Sequence, residues 1–102
     1  MSYAKTEMDV IVWGTQRGIV QNFTPAAQAK KTLEELDELY AAIAKGDREE
    51  MADAYGDILV TLVMGCACAD LDLVTCFKGA YNQIKDRKGY LTPEGIFVKE
   101  SA

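Results

Sequence analysis

A chain of 102 residues with 49% hydrophobic and 26% charged residues, a formal net charge of −5 and no histidine has the composition of a soluble globular protein, too short for more than one modest core. Without histidine the chain can build neither a Ser-His-Asp nor a Cys-His arrangement, nor a His-ligated zinc or haem site; a general base has to be a carboxylate, a lysine, a tyrosine or a metal-bound hydroxide. The acidic balance argues against stable nucleic-acid binding, which needs a basic surplus, but leaves room for a small phosphorylated ligand held by a local basic cluster.

The pattern is helical almost throughout, so the expected fold is all-α. A first helix is expected from Thr6 to about Arg17, with Thr6 as cap and Met8, Ile11 and Val12 as its apolar stripe. Gly18 to Phe23 reads as a loop. The second helix starts at Thr24 and Pro25, a cap followed by proline at the first helical position, and runs to about Lys45, where Gly46 stops it. Its apolar positions Ala29, Leu33, Leu36, Leu39, Tyr40 and Ile43 follow the 3.6-residue period. Asp47 caps the third helix, with Glu50 three residues on in a capping-box relation. That helix runs to about Ala69, with Gly56 and Gly65 inside it as points of close backbone approach. A fourth helix begins near Asp70 or Asp72 and ends near Lys85 or Asp86, with Leu73, Val74, Phe77, Tyr81 and Ile84 expected to face inward. Beyond Gly89, the turn Thr92-Pro93-Glu94-Gly95 between two short apolar runs reads as a hairpin or an extended tail.

Cys66, Cys68 and Cys76 are odd in number and sit in apolar sequence, which suggests buried thiols in a reducing compartment. Cys66 and Cys68 point roughly 200° apart on a helix and cannot easily grip one ion. Residues 1–9 carry charges without an apolar core, unlike a signal peptide, and the run Ile58 to Ala69 is too short to span a bilayer. A cytoplasmic location without membrane contact is expected, and so is one domain over residues 1–102.

The acids of the second and third helices are the informative feature. Glu35 and Glu38 share a face with Lys31 and Glu34; Glu50, Asp53 and Asp57 lie within about 60° of one another on the next helix. Asp57 directly precedes Ile58-Leu59-Val60, and an acid at the edge of a core needs a partner, a proton or a metal. A turn as short as Ala44 to Asp47 sets the two helices side by side and antiparallel, which brings both acidic clusters nearly level. A hard cation such as magnesium fits carboxylates gathered in this way; the plain alternative is a solvated acidic surface. Further along the chain, Lys78, Lys85, Arg87 and Lys88 form a basic cluster with Asn82 between them. They are either cations at a helix C-terminus or a grip on phosphate. Trp13 and Arg17, four residues apart, are either core and surface or a stacking pair for a base.

Lys31-Thr-Leu-Glu-Glu-Leu-Asp-Glu-Leu39 followed by Tyr55-Gly-Asp-Ile-Leu-Val60 resembles the MazG-like nucleotide pyrophosphohydrolases, of the all-α nucleoside triphosphate pyrophosphatase group. Trp13 to Ile19, Pro25 to Lys31 and Ile84 to Tyr90 extend the resemblance over most of the chain. It implies a four-helix bundle that works as a homodimer or homotetramer. It also implies magnesium, with manganese as a substitute, held by an E-x-x-E pair and an E-x-x-D pair. Glu35 and Glu38 match the first pair and Asp57 the last position, but Ala54 stands where the second pair has its glutamate. Asp53 on the same face, or Glu50, could stand in. The implied reaction converts a nucleoside triphosphate, ribo or deoxy, to the monophosphate and pyrophosphate. Glu35 or Glu38 would orient the water. Lys31, Lys78, Lys85, Arg87 and Lys88 would contact phosphate, and Trp13, Arg17 and Asn82 the nucleoside. The departure at Ala54 keeps a second reading open, a non-catalytic helical module of the same fold that binds a nucleotide or a protein.

Overall fold

A computed structural model describes residues 2–100 and is mostly helical, with the elements α1 (Tyr3–Gln16), α2 (Ile19–Asn22), α3 (Pro25–Lys45), α4 (Arg48–Cys68), α5 (Leu73–Ile84), β1 (Gly89–Leu91) and β2 (Phe97–Lys99). The two long helices start and stop where their end signals predict. Thr24 is extended and its hydroxyl accepts from Ala27 N, Pro25 opens α3, and Gly46 closes it at φ 67°. Asp47 then caps α4 by accepting from Glu50 N at 3.0 Å. The Glu50 carboxylate turns instead to Lys45, 2.7 Å away across the turn.

The α3–α4 hairpin is the body of the molecule. Leu39 and Ala42 of α3 and Ala54, Val63 and Met64 of α4 are the buried apolar residues. The hydroxyls of Thr32 and Thr61 meet at 2.7 Å in the seam, and Thr61 also donates to Ile58 O. A Cβ on Gly65 would stand 3.5 Å from Gln28 Cβ, an ordinary contact, so this glycine sits where α3 passes close. Gly56 instead has open space beside it. By length and composition α4 could also cross a bilayer. Asp53 and Asp57 near its middle and the seams it shares with α3 and α1 mark it as a bundle element.

Three expectations are corrected. First, α1 begins at Tyr3 rather than Thr6, because Ser2 is extended and its hydroxyl accepts from Lys5 N at 3.1 Å. Second, the segment read as a loop contains the short α2. Gly18 reverses the chain at φ 74°, and Asn22 Nδ2 donates back to Gly18 O at 2.7 Å. Third, α5 buries none of its residues: Phe77 is 68% exposed, and Tyr81 and Ile84 are more than half exposed. Asp72 caps this helix, while Asp70 takes a left-handed turn conformation at φ 58°.

α1 lies across α4, with Gly14 against Met64; a Cβ at Gly14 would come within 2.5 Å of Met64 Sδ. Its other anchor is Glu7, whose carboxylate accepts from Leu73 N at 2.6 Å and Val74 N at 3.2 Å. An anion there meets two unpaired helix-start amides and the positive end of the α5 dipole. After α5, β1 and β2 pair antiparallel in the register Gly89↔Lys99, Tyr90↔Val98 and Leu91↔Phe97.

Glu7 thus ties α5, which has no buried residues of its own, to the rest of the protein. Glu7→Ala is expected to destabilise the fold by about 1–2 kcal/mol. The exposed Asp9→Ala on the same helix should cost less than about 0.5 kcal/mol. Urea unfolding of the two variants, with amide exchange at Leu73 and Val74, checks this.

Candidate metal centre

The Thr32–Thr61 pair fixes which residues of α3 and α4 are level. Moving along α3 toward the turn, and back along α4 by the same count, brings Leu36 opposite Asp57. Glu35 and Glu38 therefore bracket Asp57 across the seam. One carboxylate oxygen from each of Glu35, Glu38 and Asp57 lies within 4.8 Å of the others, and no other such group of acids and cysteines occurs among the described residues.

Glu35 is the anomalous member. Only 9% of it is exposed. Its Oε1 is 3.7 Å from Lys31 Nζ, while its buried Oε2 has no hydrogen-bond partner. Burial pushes the Glu35 carboxyl up from the ordinary glutamate value, the Glu38 and Asp57 carboxylates push it further, and Lys31 opposes them. Lys31 also reaches Glu34 at 3.3 Å, and its own pKa is raised, chiefly by Glu34 and then by Glu35 and Glu38. One exposed lysine, shared between Glu34 and Glu35, does not neutralise three converging carboxylates.

An unpartnered buried oxygen within a cluster of oxygen donors is what a hard divalent cation would complete, with water in its remaining positions. The residues present therefore fit magnesium, or manganese in its place. Asp53 stands outside the three converging carboxylates, one turn before Asp57 on α4. Ala54 is buried in the seam with α3, level with Leu39. Glu50 is drawn to Lys45 and away from the centre.

Asp53 and Asp57 line a groove of about 910 Å³ between α4, the first half of α1 and the start of α5. Tyr3, Val10, Leu59 and Phe77 supply apolar wall, and Thr6 and Glu7 add polar groups. Because Asp57 belongs to both features, the groove opens beside the carboxylate cluster. Sequence reasoning missed it, since a groove among three helices depends on how α1 and α5 cross α4. The anchoring role of Glu7 was equally hidden, because its partners are backbone amides 66 and 67 residues away.

The other predicted residues lie elsewhere. Arg17 stacks over the Trp13 ring, 4.6 Å from its centre, and donates to Trp13 O at 3.3 Å. The pair flanks the end of α1 that packs at Met64, about 10 Å along α4 from Asp57. Lys78 and Asn82 are exposed on α5, and Lys85, Arg87 and Lys88 are exposed just after its last helical residue. None of these cations pairs with an acid among the described residues. The thiols of Cys66, Cys68 and Cys76 are free; Cys76 is exposed and the other two are half-buried.

The raised carboxyl of Glu35 has a definite pH signature. An acid with a higher pKa folded than unfolded keeps its proton longer in the folded protein. The stability it contributes is therefore lost as pH rises from the ordinary value of 4.5 through the folded value. As pH rises above 4.5, the metal-free protein should lose thermal stability relative to Glu35→Gln. Millimolar magnesium should restore it in the wild type and not in the variant. Melting curves of both proteins, with magnesium or chelator, measure this.

Residues 23–92 match the family model described as the MazG nucleotide pyrophosphohydrolase domain. Comparison with curated proteins and with solved structures returned no match.

Proposed function

The chain belongs to the MazG nucleotide pyrophosphohydrolase domain family, and from that premise we propose that it is a magnesium-dependent enzyme converting a ribo- or deoxynucleoside triphosphate to the monophosphate and pyrophosphate. The observation that carries this reading is the convergence of Glu35, Glu38 and Asp57 within 4.8 Å, with a buried oxygen of Glu35 unpartnered. The cluster falls inside the matched segment.

Glu35, Glu38 and Asp57 would hold the ion, which when bound supplies charge neutralisation at the phosphates and acidifies water. The chain's own residues do the rest. Glu38 is exposed at the rim of the cluster, within reach of solvent, and is the carboxylate we assign to orient the attacking water and take its proton. The water oxygen bonds to the α-phosphorus as the bond from that phosphorus to the α,β-bridging oxygen breaks, and pyrophosphate leaves. Glu35, held by Lys31 and the seam, positions the cluster. Lys31, which reaches Glu35 at 3.7 Å, is assigned to a phosphate oxygen, and Lys78, Lys85, Arg87 and Lys88 are assigned as further phosphate contacts. Asn82 and the Arg17–Trp13 stack are assigned to the nucleoside end. Asp53, one turn from Asp57, contributes through water or substrate rather than within the three-carboxylate set.

The role suits nucleotide-pool control by a single domain in the cytoplasm, a setting consistent with three free thiols. We assign its working form to a homodimer or homotetramer, with no stable nucleic-acid partner. A competing reading keeps the fold without turnover, as a helical module that binds a nucleotide or a protein. It draws on Ala54, buried where the family pattern has an acid.

Pyrophosphate release from a panel of ribo- and deoxynucleoside triphosphates, with and without magnesium, separates the two. Magnesium-dependent release supports the enzyme; no release from any triphosphate favours the module. Glu38→Gln should lower kcat at least about 100-fold with helicity unchanged, and wild-type turnover in that variant would remove the assignment. Asp53→Asn should lower activity about tenfold if the residue acts through water or substrate, and an unchanged rate excludes it.

A further inference from the structure

The groove beside the carboxylate cluster has a charge pattern that decides which end of a substrate it can take. Its volume of about 910 Å³ is that of a small-molecule site, about 300–1,000 Å³. Glu7, Asp53 and Asp57 line it, and no lysine or arginine does. A polyphosphate is therefore repelled from its interior, and a neutral ring is not. Tyr3 of α1 and Phe77 of α5 also line it. They are 78% and 68% exposed, so each offers an uncovered aromatic face for stacking. Gly56 lines the groove as well, and a Cβ there would meet nothing within 4 Å, which leaves room for a flat ring against α4.

Two of the three acids are already engaged. The Glu7 carboxylate accepts from Leu73 N and Val74 N, and Asp57 converges with Glu35 and Glu38. Asp53 is the free one. It makes no ion pair among the described residues and stands one turn, about 6 Å, from Asp57 along α4. An ionised carboxylate only accepts hydrogen bonds, so a ring beside Asp53 has to present a donor. The exocyclic amine of cytosine or adenine is such a donor, whereas thymine and uracil carry a carbonyl oxygen at the corresponding position. The one edge N–H of uracil is flanked by two carbonyl oxygens, which a carboxylate repels. A nucleotide with its phosphates at the cluster is one sugar away from placing its base in this groove.

We propose that the groove holds the base of the substrate, and that Asp53, by accepting from an exocyclic amine, selects cytosine and adenine over uracil and thymine. The proposal rests on the pyrophosphohydrolase reading for the identity of the substrate, and not on turnover. It divides the nucleoside end between two places. The Arg17–Trp13 stack and Asn82 do not line the groove, so they serve the rest of the nucleoside and do not distinguish one base from another.

Titration calorimetry of the full chain, in magnesium, with the α,β-imido analogues of CTP and UTP tests this without turnover, since neither analogue is cleaved. The wild type should bind the cytidine analogue at least about tenfold more tightly than the uridine analogue. Asp53→Asn keeps the shape but offers both a donor and an acceptor, and should bring the two affinities within about threefold of each other. Trp13→Ala should weaken both analogues alike. Gly56→Leu suits a helix and fills the groove; it should weaken both analogues at least about tenfold while manganese affinity, read by paramagnetic resonance, is unchanged. Circular dichroism runs alongside, and Asp53→Ser is read if Asp53→Asn unfolds. Equal affinities in the wild type, a preference for uridine, or a cytidine preference that survives Asp53→Asn or is lost with Trp13→Ala overturns the proposal. A cytidine preference without pyrophosphate release from any triphosphate removes the enzyme and keeps the groove; release without the preference does the reverse. Binding of neither analogue overturns both.

Discussion

The antiparallel seam between α3 and α4 is the constraint on which everything else depends. Its hydroxyl pair, Thr32 to Thr61 at 2.7 Å, marks the register; each hydroxyl also bonds its own helix, Thr32 to Gln28 O and Thr61 to Ile58 O, so a slip would cost the cross-helix bond and the fit of Leu39, Ala42 and Ala54 in the seam. With that register, Asp57 has to lie between Glu35 and Glu38. A slip of one residue would carry Asp57 about 100° around relative to its partners and dissolve the cluster. The exposed apolar layer on the other side, with Leu36, Tyr40 and Tyr55, is set by the same register, so one seam positions both the carboxylate cluster and that layer.

The centre stores an electrostatic conflict. Three carboxylates converge, one of them nearly buried with an unpaired oxygen. A buried charge without a partner costs several kcal/mol unless it takes a proton or an ion. Lys31 relieves part of this from outside but is divided between Glu34 and Glu35. The conflict persists because the hairpin around it is held by its caps and its apolar seam, neither of which depends on the carboxylates. Perturbed, converging carboxylates of this kind are characteristic of sites that take up a cation.

Much of this was legible before any coordinates. The helix-end signals Thr24-Pro25 and Gly46-Asp47 act locally, so the hairpin could be read from them, and with it the level placement of Glu35, Glu38 and Asp57. The sequence resemblance to the family agrees with the match over residues 23–92. What could not be read depends on tertiary placement. Glu7 bonds amides far along the chain, and nothing in its neighbours points to α5. Asp53 and Asp57 share a helix face, yet only Asp57 is level with the α3 acids. For α5, the apolar stripe was read correctly and its burial wrongly, since periodicity reports that a face is apolar and not whether its own chain covers it. The same holds for Leu33 and Tyr40.

That last difference bears on how so small a protein is stable at all. A hairpin whose buried apolar residues number five among the described ones has little core to offset the entropy of ordering about 100 residues. Its helix caps at Thr24 and Asp47 and the α3–α4 seam therefore carry much of its local order. The hairpin divides into an acidic side, with Glu35, Glu38 and Asp57, and an apolar side, with Leu33, Leu36, Tyr40 and Tyr55 exposed. The exposed apolar residues therefore leave the three carboxylates uncovered.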